Sequence, residues 1–428
     1  MELLNKSVAA LSRSFAAAFR FDNLEIHLLF QRFSNLNVRQ NLSSTALADF
    51  FRVSLNDGEF GMTTQKNAKI ANLQFILSIM IVMIHSANVF INLPGNELQY
   101  VFGRNCSTFI QLFFSEGVCR VAVPLFFLIS GYLFYHTYDG SFLGYKKKLK
   151  RRLTSLVLPY LFWSAAVFFL FYFAQRLPVL RGYFTTRDAS GISLRVLLDN
   201  IVLDSYNSPL WFCRYLIVFA VLAPILYQVA KKVPILLLAL AFYGWFFGFL
   251  GLNIKCGINM QAVFFYSLGA VVALHKEKCY AVSKKLNKNI LVGCTCAAWL
   301  LLLTCRTLYF CNQNATVMLN GEYDSFLIYS ERIAILLGMC TCWYGYDRVF
   351  GAQPLWGVSK YSFLLFVCHH PLVNTLKKLL LKLIGVTEGG ALPVYFLAAT
   401  ITIVLIILFG WLIYKFARPL WRTVSGGR

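Results

Sequence analysis

The chain has 428 residues, of which 58% are hydrophobic and 14% charged, and its mean hydropathy is +0.62. Soluble globular proteins carry roughly 25% charged residues, so this composition excludes an ordinary soluble enzyme. The formal net charge of +22 would suit a nucleic-acid partner, but much of the excess lies in short basic loops and the two termini, and no nucleic-acid-binding pattern is present. The sequence predicts an all-α polytopic membrane protein that contacts membrane lipids and not nucleic acid.

Residues 1–61 differ from the apolar pattern that follows them. Three interpretations stay open: a targeting peptide, an interfacial helix, or an extension that is not translated or is disordered. We favour a start of translation at Met62, because "MTTQKNAKIANLQ" has the composition of a short polar N-terminus that leads into a membrane span. The predicted division is an atypical extension at 1–61 and an integral-membrane domain at 62–428.

Repeated apolar runs of about 18 residues or more predict a bundle of about ten transmembrane helices. The predicted spans lie near residues 70–92, 119–138, 154–175, 209–230, 234–252, 258–275, 289–310, 326–345, 355–376 and 392–416.

Loop charges predict the orientation of this bundle. The loops after the second, fourth and sixth spans are rich in Lys and Arg, which places them, and both termini, in the cytoplasm. Lys377, Lys378 and Lys382 disagree with this alternation, so we expect them to belong to an amphipathic extension of the ninth helix.

The first span, "NLQFILSIMIVMIHSANVF", carries a polar stripe on an otherwise apolar helix. Steps of four and three residues keep side chains on one helical face. The face consists of Gln74, Ser78, Ile81, His85, Asn88 and Asn92. Polar side chains in a span face the bundle interior or an aqueous cavity, so two interpretations stay open: hydrogen bonding between helices, or a functional site. A neutral imidazole at His85 would be a ready general base.

Five further segments combine with this helix into a recognisable order. They are "RVAVPLFFLISGYLFY" (120–135), "YKKKLKRRLTSLVLPYLFWS" (145–164), "SPLWFCRYLIVFAVLAPILY" (208–227), "FFYSLGAVVAL" (264–274) and "SKYSFLLFVCHHP" (359–371). In this order and spacing the chain resembles the acyltransferase-three superfamily of integral-membrane acyltransferases, many of which O-acylate bacterial cell-surface glycans. The resemblance runs from about Ile70 to about Phe416.

The resemblance implies transfer of an acyl group from cytoplasmic acyl-CoA, with acetyl-CoA the expected donor, to a hydroxyl of a cell-surface glycan or its lipid-linked precursor. It implies a bacterial inner-membrane protein, with His85 as the catalytic base or a transient acyl acceptor. In the family an Arg precedes this His with ten residues between them, and at that position the chain has Gln74. Gln offers neutral hydrogen bonds instead of a permanent charge, so a non-catalytic glycan-precursor transporter or flippase, or a degenerate binding member of the family, stays open as an alternative.

Several other residues are candidates, each with a structural alternative. Arg120 would anchor a negatively charged donor or pair with Glu116. Glu331 and Arg332 would form an ion pair or line the substrate cavity, and either His369 or His370 would supply a second acid or base. The candidate substrate- and donor-binding residues are Gln74, Ser78, Asn88, Arg120, Ser130, Tyr132, Trp211, Arg214, Glu331, His369 and His370.

The roles of the remaining candidates follow from residue type. Ser130 and Tyr132 belong to a packing and hydrogen-bonding element, since no nucleophile elbow surrounds the serine. Trp211 would stack on a sugar or lie in an aromatic belt, and Arg214 is expected as a buried charge within a span.

The twelve cysteines are scattered and form no Cys-x-x-Cys pair, so no metal is predicted. A disulfide among Cys106, Cys119 and Cys311 stays open, as does assembly into a homo-oligomer.

Overall fold

The computed structural model describes residues 61–93, 98–185, 187–189, 191–248, 259–283, 287–349 and 357–427. The predictions for residues 1–60 lie outside this range, and translation from Met62 stays a prediction. Ten helices make up the first part of the chain, from Gly61 to Phe246. They are α1 (Gly61–Ser86), α2 (Cys106–Leu112), α3 (Ala122–Tyr135), α4 (Phe142–Arg152), α5 (Leu158–Ala174), α6 (Pro178–Arg181), α7 (Leu194–Leu197), α8 (Trp211–Val221), α9 (Ala223–Lys232) and α10 (Pro234–Phe246).

Eight helices follow in the second part. They are α11 (Met260–Leu274), α12 (Lys276–Ser283), α13 (Lys288–Cys311), α14 (Ala315–Asn320), α15 (Ser325–Val349), α16 (Ser362–Ile384), α17 (Glu388–Phe416) and α18 (Arg418–Val424). Wide π turns occur at Phe113–Gly117, Leu153–Val157 and Leu198–Leu203, and 3-10 turns at Val118–Val121, Ser208–Leu210 and Val358–Tyr361. The two strands, β1 (Phe90–Asn92) and β2 (Leu98–Tyr100), form an antiparallel pair in which Phe90 is opposite Tyr100.

The chain is an all-α polytopic membrane protein, apart from this one short strand pair in the described residues. Each of the ten predicted spans overlaps at least one helix. In the described residues, six helical stretches are long and apolar enough to cross a membrane, and seven if α8 and α9 count as one span. Helices α10 and α11 are apolar but have only 13 and 15 residues. A total of ten spans therefore stays a prediction.

The predicted fourth span is broken. Helices α8 and α9 meet at an angle of 72° at Leu222. Pro224 lies in the first turn of α9, where its missing N–H and its ring prevent a continuous helix.

Helices α3 and α11 lie in unusually close contact at two glycines. A Cβ at Gly131 would lie 2.2 Å from the Tyr266 carbonyl oxygen, and one at Gly269 would lie 2.1 Å from the Leu128 carbonyl oxygen. Small residues allow membrane helices to approach until their backbones touch, which increases the dispersion contact between them. This contact gives the Ser-Gly-Tyr segment at 130–132 a packing role.

Helices α1 and α16 lie side by side and run in the same direction. Ser78 contacts Ser362 at the start of α16, and Lys377 near the other end of α16 reaches the carbonyl of His85. This register places His369 and His370 beside His85.

Candidate active site

The polar stripe of α1 divides into residues that join helices and residues that do not. Ser78 is fully buried, and its hydroxyl lies 2.9 Å from the Gln74 carbonyl and 3.0 Å from both the carbonyl and the hydroxyl of Ser362. Asn88 is also buried; its amide donates to the Ala391 carbonyl and accepts from the Gln111 amide. These two side chains are satisfied by neighbouring helices, which is the helix-joining interpretation.

His85 belongs to a cluster of three imidazoles. Its ring centroid lies 5.1 Å from that of His369 and 5.0 Å from that of His370, and the His370 ring meets it edge-on. His85 is half-buried, so part of its ring stays accessible. Three groups that can accept or donate a proton therefore meet at the C-terminal end of α1.

The hydrogen bonds of His369 define its tautomer. Nδ1 lies 2.8 Å from the Phe366 carbonyl oxygen and 3.1 Å from that of Leu365. A carbonyl only accepts, so Nδ1 carries the proton and Nε2 of the neutral ring is an acceptor. His369 is completely buried, and its Nε2 has no hydrogen-bond partner among the described residues. Such an orphaned acceptor costs about 1–3 kcal/mol, so its presence beside His85 requires an explanation.

His370 is oriented differently from its neighbour. Its Nε2 lies 3.1 Å from the Asn374 amide nitrogen, which can only donate. The His370 ring therefore accepts at Nε2 and, when neutral, holds its proton at Nδ1. Asn374 lies one turn further along α16 and fixes this tautomer.

Lys377 binds the end of α1. Its ammonium group donates to the carbonyl oxygens of His85 and Ala87, each at 2.9 Å. These carbonyls belong to the last turn of the helix and the residues just after it, where backbone acceptors lack partners and the helix dipole favours a cation. Lys377 and Lys378 lie within α16, which extends to Ile384, so the expected helical extension is confirmed. The sequence suggested a topology anomaly at Lys377 but not its contact with His85.

Four charged side chains, Glu116, Arg120, Arg306 and Glu331, form a network between the turns before α3 and helices α13 and α15. Arg120 pairs closely with Glu116 and lies 4.0 Å from Glu331, while Arg306 lies 3.2 Å from Glu331 and donates to the Glu116 carbonyl at 3.0 Å. Arg120 therefore pairs with Glu116 and is not a free cation.

Arg306 was missed by the sequence analysis. Its side chain is only 3% exposed, and it links the π turn before α3 with α15. The signal was a single charge inside the apolar run "LLLTCRTLYF", since a charge within a span marks an interior or functional position.

Glu331 and Arg332 form no ion pair with each other in the described part of the chain, so that expectation is wrong. Successive helical side chains point about 100° apart, so Glu331 turns towards Arg306 and Arg120. Arg332 instead donates to the Phe246 carbonyl at the end of α10. Both residues line a cavity of about 390 Å³ together with Trp245 and Asn259, which agrees with the alternative that they border a cavity.

The remaining candidates lie outside the histidine cluster. The expectation that Arg214 is a buried charge is wrong, because its side chain is 41% exposed. Its guanidinium donates to the Leu203 carbonyl and lies 3.8 Å from Asp204, both in the preceding loop. Trp211 packs against Phe127, with ring centroids 5.9 Å apart. Tyr132 is buried, with its ring stacked on His136.

The last candidates are Gln74 on α1, Ser130 on α3 and three cysteines. Gln74 and Ser130 are each half-buried. Gln74 lies eleven residues before His85, which corresponds to roughly 16 Å along the helix. Cys106, Cys119 and Cys311 are free thiols, so the open question of a disulfide among them is answered in the negative.

The fold and site define a class: a polytopic helical membrane protein with a histidine cluster at the end of its first long helix. Residues 67–415 match the family model described as an acyltransferase domain, and the chain belongs to that family. It is also 29% identical over 209 residues to the succinoglycan biosynthesis protein ExoH of Rhizobium meliloti (strain 1021). That match covers 48% of this chain and 55% of the relative, so the chain spans about half the length of the curated relative. No solved structure matches the chain at a significant level.

Proposed function

We propose that the protein transfers an acyl group, with acetyl the expected group, from acyl-CoA to a hydroxyl of a cell-surface glycan or its lipid-linked precursor. Membership of the acyltransferase family supports the reaction type, and the name of the relative, a succinoglycan biosynthesis protein, supports a glycan acceptor. The observation that carries the proposal is the half-buried His85 between His369 and His370.

His85 acts as the general base in this proposal. The acceptor hydroxyl loses its proton to His85 as its oxygen attacks the thioester carbonyl carbon. The carbon–sulfur bond then breaks, and the proton passes to the sulfur, giving a sugar ester and free CoA. A transient acyl-imidazole on His85 is the second route to the same products, because an imidazole is also a competent acyl acceptor.

The neighbours of His85 have separate tasks. Lys377 fixes the backbone that carries His85 by binding its carbonyl oxygen. His369 has an unprotonated Nε2 without a hydrogen-bond partner among the described residues, and Asn374 orients His370. We propose that protons pass between His85 and His369, whose rings lie 5.1 Å apart. A positioned acid or base of this kind contributes about 10²–10⁴-fold to the rate.

The donor enters from the opposite end of α1. Gln74 stands in the middle of α1, on that side of His85 and roughly 16 Å from it. The basic helix α4 has an Asp-Gly-Ser turn before it, its first turn is capped by Ser141, and no residue within it is buried. Exposed Lys and Arg side chains on α4 suit the phosphates of CoA as well as anionic lipid headgroups. We also propose that the protein lies in a bacterial inner membrane with both termini in the cytoplasm, which the charges of its loops support.

Gln74 favours one alternative function. Because Gln74 lacks the permanent charge of the family Arg, the alternative is a glycan-precursor transporter or flippase, or a binding member without catalysis. Transport predicts movement of the precursor without release of CoA, whereas catalysis predicts CoA release that depends on His85.

The test makes the same substitution, His to Gln, at two different histidines of the purified full-length protein. His85→Gln removes the base but keeps a polar side chain, and it should lower CoA release from acetyl-CoA by about 10²-fold or more. His275→Gln is the matched control: His275 lies at the end of α11, where its Nε2 contacts the Ala230 carbonyl, and an amide can still donate there. Equal turnover of His85→Gln and wild type would contradict the proposal.

A further inference from the structure

A second cavity, which we call the arginine cavity, lies in the segment between α5 and α7. Its volume is about 280 Å³. The residues that line it are Gln175, Arg176, Arg181, Phe184, Thr185, Arg187, Asp188 and Ala189. Three of these eight residues are arginines, and the function proposed above uses none of them.

The backbone around the arginine cavity is held by one side chain. The Gln175 amide nitrogen donates to the carbonyls of Phe184 and Arg187, each at 2.6 Å, and its oxygen accepts from the Ala189 N–H at 2.8 Å. Tyr206 adds a hydrogen bond to the Asp188 carbonyl at 2.7 Å. The loop is therefore braced before any ligand arrives, which lowers the entropic cost of binding.

The three arginines of the cavity outnumber the carboxylates that neutralise their charge. Arg187 pairs with Asp204 at 2.7 Å, and Arg176 lies over the Tyr172 ring while donating to a backbone carbonyl. Arg181 forms no ion pair within the described part of the chain. Asp188 is the single carboxylate among the lining residues, so positive charge is left for a ligand. Arginine presents a planar fork that matches phosphate and carboxylate oxygens.

The loop that forms the arginine cavity contacts α16, the helix that carries His369 and His370. Lys378 donates to the Tyr183 carbonyl at 3.3 Å, in the loop that forms the cavity, while its neighbour Lys377 binds the carbonyl of His85. From His370 to Lys378 is eight residues, or about 12 Å of helix. One helix end thus connects the loop of the cavity with the candidate catalytic base.

We propose that the arginine cavity binds an anionic group of the acceptor, a phosphate or a carboxylate, and so holds the acceptor with a hydroxyl at the histidine cluster. The identity of the ligand as acceptor rests on the proposed function. The volume is just below the range of about 300–1,000 Å³ typical of small-molecule sites, which suits one charged group and not a whole oligosaccharide.

The test measures binding without any acyl donor. Purified full-length protein in phosphatidylcholine nanodiscs is titrated calorimetrically with pyrophosphate, trigalacturonate and uncharged galactotriose. Wild type should bind at least one of the two anions, and bind it more tightly than galactotriose. The double variant Arg176→Gln with Arg181→Gln should weaken that binding by about tenfold or more. Arg195→Gln is the control, because Arg195 lies in α7, just after the cavity segment, does not line the cavity, is 92% exposed and pairs only weakly, at 3.8 Å, with Asp199.

Three results would overturn the proposal. They are binding of neither anion, equal binding of galactotriose, and equal anion affinity in the double variant and wild type. A fourth result, loss of anion binding to wild type when phosphatidylglycerol is added to the nanodiscs, would identify a lipid headgroup as the occupant and reject the acceptor.

The two proposals fail separately. If His85→Gln keeps full turnover while the double variant loses anion binding, the arginine cavity stands as an anion site and the catalytic proposal fails. If His85→Gln loses turnover while the double variant binds anions normally, the catalytic proposal stands and the cavity proposal fails.

Discussion

The α3–α11 contact and the α1–α16 contact are both close helix pairs, yet they fill the space between helices differently. At Gly131 and Gly269 the backbones of α3 and α11 leave no room for a methyl group. Between α1 and α16 lie polar side chains: the hydroxyls of Ser78 and Ser362 meet at one end, and His85 meets two other histidines at the opposite end.

This difference distinguishes a contact that only packs two helices together from one that also holds a candidate functional site. Helices in lipid gain no hydrophobic driving force from association, so close packing of small residues is a purely structural solution. The buried, unpartnered Nε2 of His369 weakens the α1–α16 contact instead. Local features that cost stability are expected where a site needs them, which is why the histidine end of α1 is the better candidate for chemistry.

Gly269→Ala should produce the largest effect on stability. The new Cβ would lie 2.1 Å from the Leu128 carbonyl oxygen and 2.7 Å from the Tyr132 nitrogen, and both are backbone atoms that cannot rotate away. We expect a loss of about 3 kcal/mol, measured as a lower thermal midpoint in detergent. Gly293→Ala is the control, since no atom of the described residues lies within 4 Å of the position that its new methyl group would take. A Gly269→Ala protein as stable as Gly293→Ala would show that the close contact is not needed.

His369→Phe should separate stability from activity. Phenylalanine has a similar shape and removes the orphaned acceptor, so the thermal midpoint should be equal to or above that of wild type. Turnover of acetyl-CoA should fall about tenfold or more, because the relay to His85 is lost. The two readouts are measured on the same preparation. Normal turnover in a stabilised variant would assign His369 to packing alone.

Gln74→Arg should give the smallest of the three effects, a change in affinity for acetyl-CoA. A permanent cation at this position should keep the affinity for acetyl-CoA or raise it by a few-fold, about 1 kcal/mol at most, as measured by calorimetric titration. Gln74→Leu is the comparison, since it removes the hydrogen bonds without adding charge. Weaker donor binding in Gln74→Arg would argue against a donor contact at this position.

Hydropathy predicted the helices well because a membrane span must satisfy its own backbone hydrogen bonds. Periodicity predicted one helical face from Gln74 to Asn92, but α1 ends at Ser86, so Ser78 and His85 lie on the helix while Asn88 and Asn92 follow it. It could not assign different roles to them, because the partners of Ser78 and Asn88 on α16 and α17 lie 284 and 303 residues away. Two further features have signals in the sequence: Pro224 interrupts an apolar run where the fourth span bends, and Arg306 is a single charge within an apolar run.

The side-by-side packing of α1 and α16 also determines when the candidate site can exist during synthesis. A chain is made from its N-terminus, and pairs that are distant in sequence form late because a long loop must close. His85 is therefore made long before Lys377, which contacts its carbonyl across 292 residues. A nascent chain that has inserted α1 to α15 carries His85 but none of its α16 neighbours, so the histidine cluster is assembled only near the end of translation.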